Sequence, residues 1–153
     1  MKLVIQRVHG ASCVVDGKEV SRIGKGLLAF VGVADGDTDE DARLLATKIG
    51  NLRIFCDEAG KMNLSVKDVG GEALIISQFT LLANYKHGNR PDYLASAPVP
   101  EAKRLYEYFV SLMKEQLSRV ECGIFGADMK VSLINDGPVT IVMDSEVLKK
   151  KKQ

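Results

Sequence analysis

Apolar and polar positions along the chain change period several times, and each change marks an element. Residues 2–9 and 12–15 alternate like strands, and the Asp16-Gly17 pair after them is a hairpin signal. Residues 19–23 would return antiparallel. The unbroken apolar run 27–33 predicts a central strand covered on both faces. Asp35-Gly36-Asp37-Thr38 breaks that strand, and a helix follows. Thr38 suits its N-cap, Asp39, Glu40 and Asp41 favour its N-terminal dipole, and Ala42, Leu45, Ile49 and Leu52 form one apolar stripe.

Beyond it, residues 53–56 read as a short strand, 57–71 as a polar, glycine-punctuated stretch, and 73–80 as another strong strand. Residues 84–98 form a long loop. A second helix begins near Pro100, with Ala102, Leu105, Tyr106, Phe109, Leu112, Met113 and Leu117 on its apolar face. Strands at 129–135 and 139–143 close the pattern. Successive hairpins with helices inserted late predict an α+β fold: one domain over residues 1–148, a largely antiparallel sheet curled toward a barrel, and two main helices. The alternation is too irregular for a doubly wound parallel sheet.

Composition changes this picture little. At 153 residues, 46% hydrophobic and 27% charged, the chain suits one globular domain with a worthwhile core. Charge is more informative. The net +1 depends on the four lysines at 149–152; without them seventeen basic residues face twenty acidic ones, leaving −3. Residues 149–153 therefore read as a solvated, disordered Lys-rich tail. Any nucleic-acid contact has to come from a local patch and not from the global field. Neither a signal-peptide core nor a membrane-length apolar run is present, so a cytoplasmic, non-membrane protein is expected. Three cysteines without close pairing and two histidines without metal-ligand spacing argue against disulfides and zinc. No glycine-rich strand-to-helix loop indicates a nucleotide cofactor. No cofactor and no metal are expected.

The candidate chemistry sits where apolar strand runs meet small polar residues. One such place is Ser77-Gln78-Phe79-Thr80; the other is Asn135-Asp136-Gly137-Pro138-Val139-Thr140. Proline cannot donate to a strand ladder, and the glycine before it lets the backbone bend sharply and approach another molecule. Taken alone, a strand-joining turn explains the Gly-Pro pair; a carbonyl-presenting kink is the functional alternative. Ser77 and Thr80 supply hydroxyls, Gln78 an amide, and the N–H groups near Phe79 and Thr80 would polarise a carbonyl if the strand bends there. A hydroxyl nucleophile needs a nearby base, and neither His9 nor His87 has an evident acid partner. The segment is equipped to hold and orient a substrate and poorly equipped to move protons.

These two segments, with Val4-Ile5-Gln6-Arg7-Val8, Gly88-Asn89-Arg90-Pro91 and Gly123-Ile124-Phe125-Gly126-Ala127-Asp128-Met129, resemble the D-aminoacyl-tRNA deacylases. Five segments in order, over nearly the whole chain, carry the resemblance. It implies a homodimer that hydrolyses the ester between a D-amino acid and the 3′-terminal adenosine of tRNA, and that also clears glycine mischarged onto alanine tRNA. It implies that Gly137 and Pro138, cis in that family, enter the partner's site and exclude an L side chain sterically. Catalysis would be assisted by the RNA's own 2′-hydroxyl, which accounts for the missing base. Ser77, Gln78, Phe79 and Thr80 would then position the substrate, with Thr80 as nucleophile a minor alternative.

The resemblance also assigns Arg7, otherwise a solvated strand-end cation, to orienting the Gly-Pro hinge. Phe125 and Met129 would line the adenosine pocket, although core packing is the default for either residue. Val139 and Thr140 accompany the Gly-Pro pair in substrate binding. Lys86 and Arg90 are candidates for phosphate contact, against the plainer reading of exposed loop cations. Asp92 stands where a smaller residue is expected. Two rival classes remain: an esterase using Ser77 or Thr80 directly, and a nucleic-acid-binding module without turnover.

Overall fold

Asp16 and Gly17 both take positive φ, 50° and 76°, the combination that lets a two-residue turn match the twist of its strands. In the computed structural model, which describes residues 1–150, they join β1 (Lys2–Val15) to β2 (Lys18–Ile23). β3 (Gly26–Gly32) continues the return. Ala11 faces Ile23 and Val8 faces Gly26, so β2 and β3 lie end to end along one edge of β1, in one register from Lys2 to Cys13 and shifted by a bulge before Val14. The other edge of β1 carries β8 (Lys130–Asp144) from Lys2 to Val14.

The remaining strands enter through helices. α1 (Asp39–Asn51) lies between β3 and β6 (Glu72–Ser77), and α2 (Val99–Gln116) between β6 and β7 (Val120–Cys122). Both pairings, β3 with β6 and β6 with β7, are parallel, because a crossover helix returns the chain to the same end of the sheet. The result is a mixed sheet, antiparallel around β1, curled into a near-barrel with two helices on it. β4 (Phe55–Cys56) and β5 (Met62–Leu64) form a separate short ribbon.

Alternation along the central strands feeds two apolar clusters. Leu27, Ala29 and Val31 of β3 and Ala73 and Ile75 of β6 meet Leu45, Ile49, Leu105, Phe109 and Met113 of the helices. Leu28, Leu74 and Ile76 face the other way, onto Val8, Ala11, Cys13 and Ile23, with Val131 and Leu133 of β8 against them. Both faces of β3 and β6 are covered, which is why their sequences read as continuous apolar runs.

A polar knot ties the two ends of the described chain to α1. The Met1 ammonium donates to Asp37 Oδ1 and to Ser145 Oγ, both at 2.8 Å. Ser145 Oγ donates to Asp41 Oδ1 at 2.6 Å, and the Thr38 N–H donates to Asp41 Oδ2 at 2.8 Å. Burial alone would push the Asp41 carboxyl up. The donors from Ser145, Thr38 and Lys149, with the Met1 charge, outweigh it and bring the pKa down from 3.8 to about 2. Lys149 Nζ reaches Asp41 Oδ1 at 2.9 Å, so the segment expected to be a free tail is anchored at its first lysine. Residues 151–153 of that expected tail lie outside the described residues.

Candidate functional site

The strand expected over 73–80 stops at Ser77. Phe79–Leu82 is a 3₁₀ turn instead, and the reason lies in β3. A Cβ on Gly32 would fall 2.7 Å from Leu82 Cδ2, 2.9 Å from Leu81 Cβ and 3.0 Å from the Gln78 carbonyl. Only a glycine lets the turn seat against β3 there. The Gln78 N–H still bonds to the Val31 carbonyl at 2.8 Å, as the last rung before the bend.

The bend frees donors. Among the described residues the N–H groups of Phe79 and Thr80 have no acceptor, as expected at the start of a helical turn without a cap. Gln78 Nε2 donates to Thr80 Oγ1, which leaves the Thr80 proton available to donate elsewhere. The Phe79 side chain is 57% exposed, and the Tyr93 ring meets it edge-on with centroids 5.0 Å apart. Ser96 Oγ donates to the Phe79 carbonyl at 3.4 Å.

Ser77, Gln78 and Phe79 open into a cavity of about 510 Å³ together with Phe125 and Met129. This volume suits a small organic group. The structure thus brings together five residues singled out from sequence. Phe125 is half-buried, its ring centroid 5.9 Å from that of Tyr106, whose buried hydroxyl donates to the Ile75 carbonyl at 2.7 Å. Tyr93, Ser96, Ala102, Ala127 and Asp128 also line the cavity and were not anticipated. Proximity to Phe125 and Met129 in the sequence was the available signal for Ala127 and Asp128; Tyr93 and Ser96 reach the cavity only through the loop fold.

The second segment lies elsewhere. On β8, Thr140 faces Gln6 and Asn135 faces Val8, so residues 136–139 stand opposite Arg7 alone. The two strands expected at 129–135 and 139–143 are therefore one strand with a large bulge, on which Gly137 and Pro138 are exposed. The Gly137-Pro138 bond is cis. Within one chain neither residue lines the cavity. Val139 turns into the core. Thr140 Oγ1 accepts from Gln6 Nε2 at 3.2 Å and from Asn135 Nδ2 at 3.4 Å.

Arg7 is buried, not solvated. Its Nε donates to the Asp136 carbonyl at 3.0 Å and lies 3.2 Å from Asp136 Oδ2, while Nη1 donates to the Ile54 carbonyl at 2.7 Å. His9, read from sequence as lacking an acid partner, has Nε2 3.5 Å from Asp136 Oδ1. The bulge creates that proximity. Lys86 and Arg90 are exposed on the loop after the 3₁₀ turn and form no ion pair among the described residues. Also among the described residues, no group of three His, Cys, Asp or Glu side chains is arranged to hold a metal ion. Among the described residues no helix is long and apolar enough to cross a membrane.

Comparison with known proteins adds a lineage to this geometry. Residues 4–144 match the sequence profile described as D-Tyr-tRNA(Tyr) deacylase. A D-aminoacyl-tRNA deacylase of Flavobacterium psychrophilum is 56% identical over 147 residues, covering 95% of this chain and 98% of that protein. One from Caldicellulosiruptor bescii is 53% identical over 146 residues, again 95% and 98%. Among solved structures, a protein described as c-Myc DNA Unwinding Element Binding Protein superposes with a TM-score of 0.89 at 39% identity, covering 94% of this chain and 98% of its own. A probable eukaryotic D-amino acid tRNA deacylase has a TM-score of 0.82 at 17% identity, with 93% and 97% covered, and is alike in fold.

Proposed function

The chain belongs to the D-Tyr-tRNA(Tyr) deacylase family, and from that premise we propose that it is a hydrolase that frees D-amino acids from the 3′-terminal adenosine of tRNA in the cytoplasm. Glycine carried on alanine tRNA is a second substrate, since a residue without a side chain escapes any steric test of handedness. The observation that carries this reading is the pairing of a cavity of about 510 Å³ with the free N–H groups of Phe79, which lines it, and of Thr80, the next residue along the turn.

Those two donors suit the oxygen that gains charge when an ester carbonyl is attacked. Gln78 and Thr80 hold each other, and Ser77 and Phe79 line the cavity beside them. Phe125 offers an aromatic surface for the adenine and Met129 a soft apolar wall. No histidine stands among the residues lining the cavity. The 2′-hydroxyl beside the scissile ester supplies the proton handling that the side chains do not. Ester hydrolysis then breaks the acyl–O3′ bond, with water delivering hydroxyl to the acyl carbon and a proton to O3′.

Handedness needs a second copy. Gly137 and Pro138 are exposed on a bulge braced by Arg7 and do not line their own cavity. In a homodimer they reach the partner's cavity, where their carbonyls crowd the α-carbon so that only a D side chain or hydrogen fits. Val139 anchors the bulge in the core, and Thr140 fastens its far end through Gln6.

Release of tyrosine from D-Tyr-tRNA, with none from L-Tyr-tRNA and none from a simple D-tyrosine ester, is the expected result. Hydrolysis of the simple ester would point to direct catalysis by Ser77 or Thr80. A tRNA ending in 2′-deoxyadenosine, charged on O3′, tests the RNA's contribution, and turnover on it at the normal rate refutes that part. The 39% identical structure, described as a DNA-binding protein, prompts one further reading: nucleic-acid binding without turnover. Salt-sensitive binding with no release from any ester would favour it.

A further inference from the structure

The loop between Asn84 and Asp92 has no part in the chemistry above, yet it is built as a projection from the cavity's rim. Its base is closed by a two-way bridge, Asn84 N–H to the Asp92 carbonyl at 2.8 Å and Asp92 N–H to the Asn84 carbonyl at 3.0 Å. The next residue, Tyr93, lines the cavity and packs on Phe79.

What the loop displays is specific in kind. Every residue from Tyr85 to Pro91 is exposed, and no acidic residue lies among them. Tyr85 is 82% exposed, a large aromatic face that packs on nothing that would explain its size. Lys86 follows it directly and Arg90 lies further along the loop, neither in an ion pair among the described residues, and the Lys86 N–H is held by Asn84 Oδ1 at 3.1 Å. The chain without its terminal lysines is net negative, so these cations stand out against their surroundings. An unstacked aromatic ring on the same exposed loop as two unpaired cations matches one class of partner, single-stranded nucleic acid. Bases stack on such a ring, and cations beside it neutralise the backbone's phosphates. A peptide or a lipid surface would not require this combination of one flat ring and two point charges.

We propose that the 84–92 loop is a clamp for single-stranded RNA, in which Tyr85 stacks on a base of the unpaired nucleotides that precede the terminal adenosine while Lys86 and Arg90 neutralise their phosphates. This rests on the deacylase reading for the direction of the strand, and on the loop alone for the chemistry of the contact. The clamp separates recognition of the RNA from handling of the amino acid. It gives a protein of low net charge a local hold on a polyanion.

The test uses two readouts on the full-length protein. Binding of a labelled single-stranded RNA ending in CCA is measured for the native protein, Tyr85→Ala and Tyr85→Phe; Tyr85→Ala weakens it roughly tenfold and Tyr85→Phe less than twofold. Lys86→Ala and Arg90→Ala each flatten the dependence of log affinity on log salt by about 0.7. Hydrolysis of D-aminoacyl-tRNA is then compared with that of D-aminoacyl-adenosine, which lacks the preceding nucleotides. The Tyr85→Ala substitution raises KM for the tRNA by a similar factor and moves that for the nucleoside less than twofold. Unchanged RNA binding by Tyr85→Ala, or equal loss on both esters, overturns the clamp. Absence of turnover on either ester by the native protein overturns the deacylase reading, while the binding series still decides the clamp.

Discussion

Arg7 and Asp136 are joined across β1 and β8 by a guanidinium Nε that donates to the Asp136 carbonyl at 3.0 Å, immediately before the exposed Gly137-Pro138 bulge. The same guanidinium donates through Nη1 to the Ile54 carbonyl at 2.7 Å. One planar fork thus braces the bulge against the strand-like segment that follows α1. A lysine has a single charged nitrogen on a flexible stem and cannot serve both carbonyls in fixed directions. Arg7→Lys should cost about 1–3 kcal/mol of stability by leaving a buried acceptor unpaired. It should also lower discrimination between D- and L-Tyr-tRNA, read as the ratio of their kcat/KM values. Intact discrimination would separate the brace from the stereochemical gate.

Gly137 offers a cleaner test of that gate. A Cβ at this position meets nothing closer than Asn135 Oδ1 at 3.6 Å, an ordinary contact. Gly137→Ala should therefore leave stability within about 0.5 kcal/mol of the native protein, as surface changes usually do. Its deacylation of D-Tyr-tRNA should fall at least tenfold if the bulge enters a partner's cavity. A denaturation curve paired with a turnover assay decides it, and unchanged turnover would show that residue 137 faces no substrate.

Gly32 is the converse case, silent in the sequence and decisive in the fold. Gly32→Ala drives a methyl into Leu82, Leu81 and the Gln78 carbonyl at 3.0 Å or less. Overpacking of this kind costs about 1–3 kcal/mol. The strain falls on the 3₁₀ turn carrying Phe79 and Thr80, so kcat should drop more than thermal stability alone explains at a temperature where the variant is folded.

Thr80 separates positioning from nucleophilic attack. Its hydroxyl accepts from Gln78, a neutral amide and its hydrogen-bond partner among the described residues. Thr80→Ala should retain deacylation within about tenfold of native, the loss of one neutral hydrogen bond, because the backbone N–H stays. A collapse of several orders of magnitude, with Thr80→Ser restoring activity, would instead make it the attacking group.

Acid stability follows from Asp41. Its folded pKa of about 2 lies below the usual 3.8, so the unfolded chain binds this proton more readily than the folded one. The stabilisation is complete above pH 4 and disappears as the pH falls through 4 toward 2. Asp41→Asn should flatten the unfolding midpoint's pH dependence in that window and lower stability at neutral pH by something on the order of 2 kcal/mol.

Much of this protein was written locally. The Asp16-Gly17 turn, the Thr38 start of α1, the stripe on α2 and the doubly covered β3 all follow from choices made within a few residues of one another, which is why periodicity and turn chemistry reveal them. The two candidate segments stood out for the same reason, as polar residues and a Gly-Pro pair interrupting apolar runs. Tertiary structure decided the rest. The parallel pairing of β6 with β3 and β7 depends on which way two helices cross the sheet, and the end of β6 at Ser77 depends on a glycine far back in the chain. The burial of Arg7 depends on a register slip between strands at opposite ends of the sequence. Such features arise from packing between distant segments, whose free energies appear only once the chain has closed on itself.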